Sequence, residues 1–299
     1  MKFPRVLLLG LVLGGIAASA QVPPNVAQAN RMFDAWKAPV PPRHLVANIH
    51  YVGAIGVSSF LITTPAGHIL LDTGFDDTVP IIQRSVEQLG FKLTDIKIIL
   101  SSHAHIDHVG GHARMKQLTG ARIYASAGDA KILESGGADD FIPFPRETIL
   151  YAPAKVDHIV KDGERVTLGG VTLTANLTPG HTEGATTWTM DVTEAGRVCH
   201  VLFFSSASIN AGTRLTGKSA SYPGIAENLA ATFAKLKTLP CDIFLAPHGG
   251  QFAMAEKFER LDRKTQPNPL IDPEGWRRLV AQAERAFLQQ LEKEKTSPP

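Results

Sequence analysis

The sequence predicts an α/β (α+β) protein in which two β-sheets carry helices on their outer faces. Short β-branched and apolar runs, bounded by glycine and proline, occur in both halves of the 299-residue chain. Segments with helical spacing of apolar residues, such as VPIIQRSVEQLG and IAENLAATFAKLKTL, also occur in both halves. Because sheets and helices bury their apolar faces against each other, this mixture is expected to pack in layers.

The first twenty residues have the features of a secretory signal peptide. MKFPR is basic, VLLLGLVLGGI is apolar and AASA ends in small residues, which predicts cleavage after Ala20. The apolar run is short for a membrane span, and an uncleaved anchor is the alternative. The sequence therefore predicts a periplasmic protein, monomeric and without membrane attachment after cleavage.

The charge balance argues against nucleic acid as a partner. The whole chain carries 30 lysine and arginine residues against 28 acidic ones. Two of the basic residues, Lys2 and Arg5, belong to the predicted leader, so the mature chain has no basic excess. Phosphate backbones are bound by such an excess, concentrated in a stripe or patch.

Residues 21–299 are predicted to form a single domain. Its first part, residues 21–43, is rich in proline and is expected to lie over the surface as an arm rather than form a core element. Strands are predicted between residues 45 and 74, followed by a helix that ends at Gly90. IKIIL and ARIYAS predict two further strands, with a helix between them that is again stopped by glycine.

The second half is predicted to follow a similar order. Residues 134–157 show no clear period and are expected to form a long loop with Phe141 and Phe144, either functional or an ordinary surface excursion. Strands are predicted in RVTLGGVTLTANL, TTWTMDV, RVCHVLFF and CDIFLAP. The chain is expected to end in a helix that frays into a polar tail at residues 293–299.

The chain has two cysteines, Cys199 and Cys241. Export to an oxidising compartment would allow one disulfide bond. Both cysteines also lie in apolar, strand-like runs, so two buried free thiols are the alternative.

Potentially reactive side chains follow several of the predicted strands. These residues are Asp72, the cluster from His103 to His108, His181, Ser206, Ser208 and His248. Ligand sites in α/β proteins favour such strand ends, because the loops there are held by a rigid scaffold. The strand ends are therefore expected to meet at one rim.

The segment SSHAHIDHVGGH places four histidines and an aspartate within twelve positions. His103 and His105 would point to nearly opposite sides of a helix, but in a turn after a strand both rings can reach one ion. Asp107 and His108 would then serve a second ion. Imidazoles combined with one carboxylate suit zinc.

His181 and His248 would complete two sites of three protein ligands each. Such sites keep open coordination positions, which is typical of catalytic zinc. The remaining histidines are interpreted as packed or solvated residues, with His112 on the surface: His44, His50, His68, His112, His158 and His200.

HAHIDH is similar to the H-x-H-x-D-H signature of the metallo-β-lactamase superfamily. LLDTG, SSHAHIDHVGG, TPGHTEGATTWTM, LFFSS and APHGG follow in the order of that family. The resemblance implies an αββα sandwich of two mixed β-sheets flanked by helices, with a zinc site at one edge.

Within the superfamily, the chain resembles the third subclass of class B β-lactamases. Related thioesterases and lactonases usually carry a metal-bridging aspartate at the end of the strand matching VLFFSS, where Ser206 stands here. The cysteine ligand of the other lactamase subclasses is also absent. Glu183 and Ala185 depart from the usual TPGHTPG-TSW pattern, which affects the loop and not the ligand.

The resemblance implies two Zn²⁺ ions, the first bound by His103, His105 and His181, the second by Asp107, His108 and His248. A zinc-bound hydroxide, oriented by Asp107 as a catalytic residue, would attack the β-lactam amide of penicillins, cephalosporins and carbapenems and give antibiotic resistance. Asp72 would accept a hydrogen bond from a ligand histidine.

Ser206 and Ser208 would bind the carboxylate of the substrate, although capping of the strand end is the alternative. No GxSxG motif supports a serine esterase. The alternatives to a β-lactamase are a lactonase or thioesterase of the same fold and a non-catalytic zinc-binding exoprotein.

Overall fold

The first half of the chain forms a mixed sheet of seven strands. The structure is a computed structural model and describes residues 22–296, so the predicted signal peptide lies outside the described residues. The strands follow the chain order across this sheet: β1 (Arg43–Val46), β2 (Ile49–Tyr51), β3 (Phe60–Thr64), β4 (Gly67–Leu71), β5 (Ile96–Leu100), β6 (Arg122–Ser126) and β7 (His158–Val160). Strands β1 to β4 pair antiparallel, and β4 to β7 pair parallel.

The second half forms a mixed sheet of five strands in the order β12-β11-β10-β9-β8. The strands are β8 (Arg165–Leu168), β9 (Val171–Leu177), β10 (Thr186–Glu194), β11 (Arg197–Phe203) and β12 (Ile243–Leu245). Strands β8 to β11 are antiparallel, and β12 pairs parallel with β11. The predicted turn between β8 and β9 uses Gly169 and Gly170, both with positive φ, as a two-residue hairpin of this kind requires.

Helices cover both outer faces of the two sheets. The helices of the described residues are α1 (Val26–Trp36), α2 (Val79–Gln88), α3 (Ile106–Val109), α4 (His112–Thr119), α5 (Ala127–Glu134), α6 (Ile225–Leu236), α7 (Met254–Asp262) and α8 (Pro273–Thr296). Of these, α1 and α3 lie at one edge of the sandwich. None of these helices between residues 22 and 296 has the length and hydropathy to cross a membrane.

The central strand β5 shows why the predicted runs are apolar without alternation. Ile98 and Leu100 belong to the core between the two sheets. Ile96 and Ile99 belong to the core under the helices of the first sheet. Apart from the exposed Lys97 near its start, β5 is buried on both faces, so the apolar residues Ile98, Ile99 and Leu100 occupy consecutive positions. The predicted αββα sandwich of two mixed sheets is confirmed.

The prediction that residues 21–43 form a surface arm without a core element was wrong. Helix α1 begins after Asn25, whose side chain and that of Gln28 form a reciprocal capping box. Its residues Ala29 and Phe33 are buried in a small core with Ala54, Val57, Phe75 and Ile81. One helical turn separates Ala29 from Phe33, so the apolar side of a single helix produces this burial.

For residues 293–296 the prediction of a frayed polar tail was also wrong, since α8 continues to Thr296, and residues 297–299 lie outside the described residues. The buried carboxylate of Glu294 accepts hydrogen bonds from the backbone N–H groups of Leu215 and Thr216 at 2.8 and 3.0 Å. Gln290 Nε2 donates a further bond at 2.9 Å. The polar end of α8 therefore holds the loop that follows β11.

We expect Glu294→Gln to lower the free energy of unfolding by about 1–3 kcal/mol at neutral pH, because an amide cannot accept all these bonds. Burial acts to raise the pKa of Glu294, but its hydrogen bonds outweigh burial and hold the pKa below its ordinary value of 4.5. The difference between wild type and variant should therefore be complete above pH 4.5 and disappear as the pH falls through the lowered pKa. Urea denaturation at several pH values measures it. The exposed neighbour Glu292→Gln is the control, and an equal loss in both variants would contradict the prediction.

Both cysteines are free, Cys199 buried and Cys241 half-buried. Of the two alternatives left open by the sequence, the structure therefore has the free thiols.

Candidate metal centre

The predicted ligands lie together at one edge of the sandwich. His103 and His105 follow β5, and α3 presents Asp107 and His108 directly after them. The loop after β9 supplies His181, and the loop after β12 supplies His248. The convergence of strand ends expected from the sequence is therefore observed, with contributions from both sheets.

Histidines His103, His105 and His181 form the first group. Their rings are buried, and one possible ligand atom of each lies within 4.8 Å of those of the others. The ring centroids are 4.6 to 4.9 Å apart. The Nδ1 of His181 donates to the carbonyl oxygen of Ser208 at 2.8 Å, which leaves Nε2 as its lone-pair nitrogen.

Asp107, His108 and His248 form the second group, again with possible ligand atoms within 4.8 Å of one another. Asp107 Oδ2 lies 3.0 Å from His108 Nε2 and 3.5 Å from His248 Nε2. The Nδ1 of His248 donates to the carbonyl oxygen of Gly56 at 3.0 Å, so its Nε2 is also left as an acceptor.

The electrostatics of both groups favour a bound cation. Burial, with smaller effects of neighbouring histidines, lowers the pKa of His103 and His181 well below 6.5, and burial lowers that of His105 and His248 to about 4. These rings are therefore neutral at pH 7 and carry lone pairs. Burial acts to raise the pKa of Asp107, but His108 and the other histidines outweigh it and keep the carboxylate charged.

The nitrogens His103 Nε2 and His108 Nδ1 are buried and have no hydrogen-bond partner. An unpaired buried polar atom costs about 1–3 kcal/mol. Neutral imidazoles with one carboxylate are a ligand set that suits zinc, so these residues fit two metal ions.

The two glycines that follow His108 and Val109 allow the tight turn between α3 and α4. A Cβ at Gly110 would lie 2.5 Å from the carbonyl oxygen of Ile106. A Cβ at Gly111 would lie 2.5 Å from Val79 and 2.8 Å from the oxygen of Thr73. These contacts require glycine, because the α3 turn packs directly on the loop after β4.

The prediction that His112 lies on the surface was wrong. Its ring is fully buried, and its two nitrogens bond Thr73 Oγ1 at 2.8 Å and Ser101 Oγ at 2.9 Å. Burial lowers the pKa of His112 to about 3. A neutral ring can bridge the two hydroxyls, and it thereby ties the loop after β4 to the loop after β5.

Asp72 reaches the ligands through Ser102 and not by the direct hydrogen bond expected from the sequence. Its carboxylate accepts from Ser102 N at 2.7 Å and from Ser102 Oγ at 2.5 Å. Ser102 Oγ lies 3.1 Å from His103 Nδ1, which can then donate to it. Asp72 Oδ2 lies 3.8 Å from His108 Nδ1, which is too long for a hydrogen bond. The chain Asp72–Ser102–His103 leaves Nε2 of His103 for a metal.

Ser206 and Ser208 occupy different positions relative to the cavity above the ligands. Ser208 lines this cavity, and its carbonyl oxygen fixes His181. Ser206 does not line it, is 3% exposed, and contacts Ser208 Oγ at 3.1 Å. Of the two serines predicted to bind a substrate carboxylate, Ser208 is thus the one that borders the cavity.

Apolar side chains form the walls of the cavity. They are Met32, Phe33 and Trp36 of α1, together with Ile106, Ile142, Phe144 and Ile149. The Trp36 ring lies 4.8 Å from that of His248. Phe144 of the long predicted loop borders the cavity, whereas Phe141 packs on Tyr222. The sequence did not assign the wall residues of α1, although their helical spacing was a usable signal.

Known proteins share this fold, and the structural matches to them cover most of the chain. The sequence profile of the metallo-β-lactamase superfamily matches residues 52–248. The metallo-β-lactamase FEZ-1 from Legionella gormanii is 39% identical, with a TM-score of 0.84, over 87% of this chain and 99% of its own. BJP-1, a subclass B3 metallo-β-lactamase of Bradyrhizobium japonicum, is 40% identical, with a TM-score of 0.81, over 87% of this chain and 97% of its own.

Curated relatives of a different name also match. A hydroxyacylglutathione hydrolase from a Bradyrhizobium species (strain ORS 278) is 31% identical over 62% of this chain and 59% of its own length. The chain thus covers less than two thirds of that relative. The superfamily profile spans well over half of the chain and includes every predicted metal ligand. The chain therefore belongs to the metallo-β-lactamase superfamily.

Proposed function

We propose that this protein is a zinc-dependent β-lactamase that hydrolyses penicillins, cephalosporins and carbapenems. The main observation that supports this proposal is the set of residues that follows β11. The residues that follow this strand are Phe204, Ser205 and Ser206, so no carboxylate stands where related thioesterases and lactonases place a bridging aspartate. Asp107 is the only acid in the two described ligand groups. The likeness to solved β-lactamases over 87% of the chain supports the same assignment.

In this proposal, His103, His105 and His181 hold one zinc ion and Asp107, His108 and His248 the other. Paired zinc ions, when bound, supply an activated water near neutral pH and polarise a carbonyl group. Asp107 orients the nucleophile, because its charged carboxylate lies at the centre of the second group. Ser208 contributes a hydroxyl at the cavity wall to the substrate. Met32, Phe33, Trp36 and Phe144 exclude bulk water.

A thioesterase is the second candidate, because curated relatives bear the name hydroxyacylglutathione hydrolase. Against a thioesterase, Ser206 stands at the position where related thioesterases carry a bridging aspartate. A lactonase shares the same difficulty.

The test is a side-by-side assay of the purified mature protein with imipenem, nitrocefin, a hydroxyacyl-glutathione thioester and an acyl-homoserine lactone. We expect hydrolysis of both β-lactams, loss of this activity with a chelator, and recovery with zinc. Turnover of the thioester or lactone alone would overturn the proposal in favour of that rival. Zinc binding without hydrolysis of any of them would favour a non-catalytic protein.

The location in the cell belongs to the same proposal. Cleavage after Ala20 would release a monomeric enzyme into the periplasm, where it would protect the cell from β-lactams. N-terminal sequencing of protein released from the periplasm should begin at residue 21, and protein that keeps residues 1–20 in the membrane fraction would contradict it.

A further inference from the structure

Asp140 is a buried carboxylate that the predicted ligand set does not include. It lies in the loop between α5 and β7, 35 positions after His105, and its side chain is 2% exposed. Its Oδ2 atom lies 3.5 Å from His105 Nε2. A carboxylate buried to this extent needs a partner, since its transfer out of water is otherwise costly.

The second oxygen of Asp140 has a different partner. Oδ1 accepts a hydrogen bond at 2.9 Å from the backbone N–H of Ile142, at the start of the segment that carries the cavity-wall residues Ile142 and Phe144. One oxygen of Asp140 thus holds the wall, and the other is turned to the ring of a ligand.

The neighbouring ligand histidines differ from His105 in which ring nitrogen faces a partner outside the metal groups. His103, His181 and His248 each have Nδ1 against a polar partner outside the metal groups, which leaves Nε2 for a metal. In His105 it is Nε2 that faces the outside partner, Asp140. A histidine bound to metal usually donates its other N–H to a carboxylate or carbonyl, which fixes its tautomer.

We propose that Asp140 is a positioning residue that keeps the proton of His105 on Nε2 and so presents Nδ1 to the metal. The inference rests on the proposed metal centre. It also links the cavity wall to the ligand, because the same carboxylate accepts a hydrogen bond from Ile142 N and lies against the ring of His105.

Asp140→Asn separates the two contacts. Asparagine keeps the size of the side chain, and its carbonyl oxygen can still accept from Ile142 N. Its amide group then turns two N–H donors toward His105 Nε2. A donor facing a donor is unfavourable, so the proton of His105 should move to Nδ1, the nitrogen needed by the metal.

The experiment measures zinc affinity by competition with a chromophoric chelator on the purified mature protein. We expect Asp140→Asn to weaken the binding of one of two zinc ions by about 10- to 100-fold. The matched control is Asp139→Asn, since Asp139 is the exposed neighbour and should leave both affinities unchanged. Circular dichroism and thermal melting show whether each variant is folded.

A second readout does not require zinc. In metal-free protein at mildly alkaline pH, ¹⁵N NMR of labelled histidines should place the His105 proton on Nε2 in wild type and on Nδ1 in Asp140→Asn. A variant with wild-type zinc affinity and an unchanged His105 tautomer would overturn the inference. A wild type that binds no zinc would overturn the proposed function, while the tautomer comparison would still test Asp140.

Discussion

Replacing Asp107 with asparagine is expected to lower kcat for imipenem by about 10²- to 10⁴-fold, the usual range for a group that handles or orients a proton. The variant keeps the size of the side chain and loses its charge. Asp107 is buried, and its Oδ2 lies 3.0 Å from His108 and 3.5 Å from His248. Its neighbours hold its pKa below the usual range, so the charge removed is present at every working pH.

Kinetics and metal content together test this prediction. Asp107→Asn should lose turnover, and it should retain less zinc after dialysis because a neutral amide is the weaker ligand. Asp76→Asn, which removes an exposed carboxylate on the loop after β4, is the control and should behave as wild type. An Asp107→Asn enzyme that holds two zinc ions and keeps kcat within about tenfold of wild type would exclude the role given to Asp107.

Trp188→Ala is expected to reduce the free energy of unfolding by about 3–5 kcal/mol, as for other large aromatic side chains removed from a core. Trp188 lies on β10, is fully buried between the sheets, and donates from Nε1 to the carbonyl oxygen of Ser101 at 3.0 Å. The substitution therefore opens a cavity and also leaves a buried acceptor unpaired one residue before Ser102.

A milder variant distinguishes the effect of the cavity from the effect of the unpaired Ser101 oxygen. Trp188→Phe retains most of the packing, and its expected cost is about 1–3 kcal/mol, mainly for the unpaired Ser101 oxygen. Urea denaturation followed by circular dichroism measures both variants, with the exposed Leu288→Ala as control. A cost below about 1 kcal/mol for Trp188→Ala would show that the core closes around the missing ring, contrary to the burial observed.

The layered fold and the ligand groups could be predicted because their signals are local. Apolar runs such as IKIIL indicate strands buried on both faces, and four histidines within twelve residues indicate a cation. The sequence also predicted that the two distant residues, His181 and His248, would join the cluster, since each follows a strand. Their roles as zinc ligands stay predictions until metal binding is measured.

The features that sequence reasoning missed depend on contacts between distant segments. The sequence predicted His112 on the surface, one helical turn past His108, but hydroxyls of Thr73 and Ser101 accommodate the buried ring. Glu294 falls within the predicted polar tail, but its hydrogen-bond partners lie almost 80 positions earlier. Helix α1 was the avoidable error, since Asn25 and Gln28 have the spacing of a capping box.

The small core beneath α1 has a consequence for how this protein can change over generations. Phe33 and Ala29 pack with only a few residues at the sandwich edge, apart from the large core between the sheets. Met32, Phe33 and Trp36 shape the entrance to the reactive groups without belonging to them. Selection can therefore remodel which molecules are admitted by altering the short helix α1, while the metal-ligand residues are inherited intact.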